Sequence, residues 1–145
     1  MFLEKIKSEG IAHLSYILGD GTDAVVIDPR RDCQIYTDIA AQPGARINRI
    51  FESHRNEDYV IGTMALSRRT GADIYHGSHL DFSYGKGVSE GDTFDVGELR
   101  LKILETPGHT FESISIVVID KNYGKEPVGV FTGDALFMGD VGRTD

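Results

Sequence analysis

The order of its apolar runs constrains this chain most. AHLSYILGD (12–20) and DAVVIDP (23–29) read as two strands joined by a turn around Asp20-Gly21. CQIYTDIAAQPGA (33–45) reads as a short helix, with Asp32 as its expected N-cap and the QPG sequence as its stop. INRIFESH (47–54) is a strand. EDYVIGTMALSRRTGA (57–72) is amphipathic at helical spacing: Val60, Met64, Ala65 and Leu66 are expected to face a core, and Gly71 to end the helix. DIYHG (73–77) is a short strand, and DTFDVGELRLKILETPGH, ESISIVVIDK and PVGVFTGD supply further strands between Gly, Pro or Asn turns. This order predicts one α/β domain over residues 1–145 with a mixed sheet.

Composition narrows the function. A net charge of −8 argues against a non-specific nucleic-acid binder, which needs a basic face to displace counterions. It does not exclude a small anionic substrate, since one local Arg dominates a pocket. No apolar run approaches the roughly 20 residues that span a bilayer, so no membrane partner is expected. Charges thread the N-terminal MFLEKIKSEG, which does not read as a signal peptide. The single Cys33 has no internal disulfide partner, and a cytoplasmic location is the default expectation.

Three polar residues hold the same place in the local pattern. His54 follows the strand INRIF, His109 follows LRLKILE in TPGHT, and Asp134 follows VGVF in FTGD. Side chains leaving the ends of neighbouring strands converge on one rim of an open α/β sheet, where such sheets bind ligands. Two His and one carboxylate form a ligand set for Fe(II) with open positions for substrate and O2, or for Zn(II) with a water position for hydrolysis. Spacing alone leaves a second alternative, that all three are polar groups of strand-end loops.

FESHRNEDYVIG, ETPGHTFESIS and FTGDALFMGDVGRTD resemble three signature segments of the metallo-β-lactamase superfamily. They are most similar to its persulfide dioxygenase branch, including bacterial members often fused to rhodanese domains. VVIDPRRD resembles that branch's early strand and turn, and the likeness runs over essentially the whole chain with the motifs in order. The superfamily's first motif, T-H-x-H-x-D-H, falls on residues 53–59. Ser53 takes the place of the Thr, His54 is the first His, Asn56 replaces the second, Asp58 keeps the Asp, and Tyr59 replaces the last His. A dinuclear hydrolase needs both replaced His. A mononuclear iron enzyme of the persulfide dioxygenase branch needs the ligands that correspond to His54, His109 and Asp134, and all three are present.

The resemblance implies an αββα sandwich and one Fe(II) per chain, with Zn(II) as a possible substitute. The implied reaction oxidises a low-molecular-weight thiol persulfide, such as glutathione persulfide, with O2 to sulfite and the thiol. Arg143 matches an Arg that contacts the thiol substrate, and a planar guanidinium suits a carboxylate. The alternatives are a glyoxalase II-like thioester hydrolase with one zinc, and a domain that keeps the fold without turnover.

Other residues carry competing readings. Asp58 is either an acceptor that orients a ligand His or a first-turn helix carboxylate; Tyr59 either fills the lost site or donates a hydrogen bond near the iron. His76 and His79, in HGSH, read as surface residues of a turn-rich loop. His13 reads as a strand residue. Cys33 lies near a helix start, and Asp28 reads as a buried carboxylate below the metal rim. Asp140 shapes the turn before Arg143. Domains of this superfamily are built of two similar halves, so the chain is expected to hold the first half, without the second sheet. That leaves an apolar sheet face for self-association or for a C-terminal half to cover.

Overall fold

Ala24, Val25, Val26 and Ile27 are all buried. A strand apolar on both faces must lie between two covering layers. In the computed structural model, which describes residues 1–8, 13–54, 62–78, 84–107, 112–133 and 136–138, this run is β3 (Asp23–Ile27) of a six-stranded sheet. The sheet runs in chain order: β1 (Phe2–Ser8), β2 (His13–Asp20), β3, β4 (Arg46–Phe51), β5 (Asp73–Gly77) and β6 (Lys86–Val88). β1, β2 and β3 pair antiparallel, and β3 through β6 pair parallel. Parallel neighbours need crossovers. α1 (Gln34–Ala41) carries the chain from β3 to β4, and α2 (Thr63–Thr70) lies between β4 and β5.

A second, five-stranded sheet has the order β11 (Leu136–Met138), β10 (Pro127–Phe131), β9 (Ile114–Asp120), β8 (Leu99–Glu105), β7 (Thr93–Val96), with every neighbour antiparallel. Period-two alternation sorts the side chains into two cores. Tyr16, Leu18, Val25, Ile27 and Phe51 of the first sheet meet Leu101, Ile103, Ile116, Val118 and Phe131 of the second. On the first sheet's other face, Ile17, Ala24, Val26, Ile47 and Ile50 pack with Tyr36 and Ala40 of α1 and Leu66 of α2.

Several expectations change. The chain contains a second sheet, and the first sheet's inner face is buried against it rather than left wet. Asp32 is not the N-cap of α1. That place belongs to Cys33, buried and with no side-chain cap bond, while the exposed Asp32 carboxylate sits 3.7 Å from the Arg30 guanidinium. α2 starts at Thr63 behind Gly62, and Val60 lies outside the described residues. Met64 is exposed, not core. Gly71 does end α2, at φ 77 with its N–H donating to the Ser67 carbonyl. β1, β6 and β11 appear where no strand was expected. β1 is an edge strand, whose charged residues Glu4 and Lys5 are exposed, and such charges blunt an edge while hiding its apolar alternation. No helix among the described residues is long and apolar enough to cross a membrane.

Candidate functional site

At the carboxyl end of β4 the chain passes from a buried strand to a rim. Glu52 N–H donates to the Tyr75 carbonyl (2.9 Å), which extends the β4–β5 pairing by one residue. Ser53 is held from three sides. Its N–H donates to Asp28 Oδ1 (2.8 Å), its hydroxyl donates to Asp28 Oδ2 (2.5 Å), and its carbonyl accepts from Ile114 N–H of the second sheet (2.8 Å). His54 follows, half-buried, with Nδ1 2.9 Å from the Ser53 hydroxyl.

A cavity of about 320 Å³ opens beside His54, lined also by Ser53, Thr106, Ser113, Ile114, Ser115, Thr132 and Gly133. Thr106 follows β8, Ser113 precedes β9, and Thr132 and Gly133 follow β10, so the cavity lies where the ends of the two sheets meet. The Thr106 and Ser115 hydroxyls pair at 3.0 Å. This wall of hydroxyls was not foreseen. Its signal is ESIS, where Ser113 stands just before β9 and Ser115 within it, two residues apart and so on one face.

Asp28 is the buried carboxylate expected below the rim. It is the one non-glycine residue with positive φ among the described residues, at 53°. Its N–H donates to the Phe51 carbonyl (2.8 Å). Burial pushes the Asp28 carboxyl up to about 6, against the two Ser53 hydrogen bonds. Burial likewise raises the Glu52 carboxyl, opposed by the Tyr84 hydroxyl, which donates to both of its oxygens (2.7 and 2.9 Å).

His76 lies on β5 and is buried, not on the surface. Its Nε2 faces the Tyr84 carbonyl at 2.7 Å and its Nδ1 the Gly77 carbonyl at 3.1 Å. Those contacts occupy both nitrogens with backbone. His79 lies outside the described residues, as do Asn56, Asp58, Tyr59, His109, Asp134, Asp140 and Arg143. Of the expected ligands, His54 alone is described. With its Nδ1 on the Ser53 hydroxyl, it has the chemistry of a metal ligand oriented through its other nitrogen. In sequence, His109 comes three residues after Thr106 and Asp134 directly after Gly133, and Thr106 and Gly133 both line this cavity. Among the described residues no group of three or more His, Cys, Asp or Glu could hold a metal.

Residues 9–145 match the Metallo-beta-lactamase superfamily. The chain belongs to that superfamily. It is 33% identical over 127 residues to the hydroxyacylglutathione hydrolase of Nitrosococcus oceani, covering 83% of this chain and 45% of that protein. It is 29% identical over 143 residues to the mitochondrial persulfide dioxygenase ETHE1 of Mus musculus, covering 90% and 51%. Among solved structures, a metallo-beta-lactamase from Staphylococcus aureus aligns with TM-score 0.83 at 31% identity, over 91% of this chain and 43% of that one. ETHE1 from Myxococcus xanthus aligns with TM-score 0.73 at 29% identity, over 81% and 54%. This superfamily chain spans about half the length of the curated relatives it matches.

Proposed function

We propose that this chain is the metal-bearing part of a mononuclear iron persulfide dioxygenase, with His54, His109 and Asp134 as ligands. The observation that carries the reading is the first motif itself: His54 is kept, while Asn56 and Tyr59 stand where a dinuclear hydrolase has His. The likeness to ETHE1 proteins supports it. The overall change takes a thiol persulfide, O2 and water to sulfite and the thiol. Iron, when bound, supplies the redox chemistry with O2. The chain's own residues do the rest. Ser53 and Asp28 orient His54, the cavity's hydroxyls receive a polar sulfur anion, and Arg143 takes the carboxylate of a carrier such as glutathione. Asp58 and Tyr59 support the ligand shell.

A second reading, a thioester hydrolase with one zinc, is favoured by the 33% identity to a hydroxyacylglutathione hydrolase. Iron content, O2 uptake with glutathione persulfide and hydrolysis of S-lactoylglutathione separate the two. O2 uptake with sulfite release is expected, without appreciable thioester hydrolysis, because no second metal site helps generate and hold an attacking hydroxide. Thioester turnover without O2 uptake would overturn the dioxygenase reading.

A further inference from the structure

The contacts of Ser53 decide which nitrogen of His54 carries the proton. A serine hydroxyl has one proton to donate and two lone pairs to offer. At Ser53 that proton goes to Asp28 Oδ2 over 2.5 Å, the short contact expected of a charge-assisted bond. The second Asp28 oxygen is fixed by the Ser53 N–H at 2.8 Å, so the carboxylate cannot rotate away without losing both bonds. The hydroxyl therefore faces His54 Nδ1, 2.9 Å away, with a lone pair, and the ring must bring the proton to that contact. We propose that Asp28 is a positioning residue: acting through the Ser53 hydroxyl, it fixes His54 as the tautomer protonated on Nδ1 and gives the lone pair, and so metal ligation, to Nε2.

The surroundings fit this role. A neutral imidazole in water prefers its proton on Nε2, the form whose lone pair is on the wrong nitrogen for this geometry. Asp28 is also an unusual residue to find here for packing alone. It is 2% exposed and holds a left-handed backbone, and such strain persists only where the surrounding structure over-determines it. Gly133 lies on the other side: a Cβ placed there would reach only ordinary contact distance, 3.6 Å from Ser53 Oγ and 3.8 Å from His54 Nδ1, so the pair borders the cavity there.

The assignment rests on the metal reading only for its consequence, since the tautomer is a property of the metal-free chain. Asp28→Asn tests it with little change of shape. Asn Oδ1 still accepts from the Ser53 N–H, but Nδ2 donates to the Ser53 hydroxyl. The serine proton then turns to His54 Nδ1, and the ring proton moves to Nε2. Long-range ¹H–¹⁵N spectra of the metal-free protein at pH 8 should show His54 protonated on Nδ1 in the wild type and on Nε2 in Asp28→Asn. Ser53→Ala should lose the preference and Ser53→Thr should restore it. Co(II) titration followed by absorbance should show affinity falling about 10–100-fold in Asp28→Asn. A wild-type ring protonated on Nε2, or an Asp28→Asn spectrum like the wild type's, would overturn the proposal. Wild-type protein that binds no Co(II) would overturn the metal reading, while the spectra alone still decide the tautomer.

Discussion

At Asp28 a left-handed backbone and a carboxyl removed from water coincide, and the residue's titration follows from that burial. Its folded-state value stands near 6, against 3.8 for an unburied aspartate. The folded chain thus holds this proton more tightly than the unfolded chain does. Asp28 favours folding most below about pH 4, and that contribution is lost as the pH rises through about 6. Glu52, also raised by burial, acts in the same direction. The urea midpoint of the metal-free protein is therefore expected to fall between pH 4 and pH 6, and more steeply than that of Asp28→Asn. Parallel profiles for the two proteins would contradict this. The place of Asp28 was legible in the sequence, because a carboxylate ending the buried run VVI has nowhere to go but the rim. The place of His76 was not. Its burial depends on Tyr84, eight residues on, whose carbonyl meets the ring and whose hydroxyl reaches Glu52 across the sheet. No local pattern carries such a contact.

The helix α2 separates what periodicity reads from what packing decides. Residues two apart on a helix stand about 200° apart, so Met64 and Leu66 cannot share one buried face. The structure buries Leu66 completely and leaves Met64 44% exposed. Leu66→Ala should cost about 2–5 kcal/mol of stability and Met64→Ala within about 0.5 kcal/mol, measured by urea unfolding. The entry to the helix is equally constrained. Gly62 N–H donates to the Pro29 carbonyl (2.8 Å), and a Cβ on Gly62 would fall onto the Arg30 carbonyl, which is backbone and cannot rotate aside. Gly62→Ala should therefore lose about 1–3 kcal/mol; an unchanged midpoint would show that the β3–α1 turn yields. The strands with a long apolar run or clear alternation, β2, β3, β4, β8 and β9, were legible in the sequence. The expected absence of a second sheet was not a failure of pattern. The runs that build that sheet were visible, but a list of strands does not say which of them pair, and pairing is set by contacts between distant residues.

At the scale of the molecule, the candidate site lies where the two sheets meet, and a metal bound by the proposed ligands would have a structural as well as a chemical effect. His54 follows β4 of the first sheet, while His109 and Asp134 follow β8 and β10 of the second in sequence. Across this gap the backbone contributes the Ile114 N–H to the Ser53 carbonyl. One ion held by all three expected ligands would cross-link the sheets at one end of the inter-sheet core. A ligand that binds only the folded state stabilises it by about 2.7 kcal/mol at a hundredfold excess over its dissociation constant. Thermal unfolding should therefore shift upward when Fe(II) is added anaerobically and fall back with a chelator. The shift should vanish in His54→Ala and in His109→Ala. Elemental analysis should find at most one metal per chain, because Asn56 and Tyr59 replace two His that a second metal would need. Two metals per chain would refute the mononuclear site. One metal bound with no change in the unfolding temperature would mean that folded and unfolded chain hold it equally well, and would contradict a site that folding assembles from both sheets.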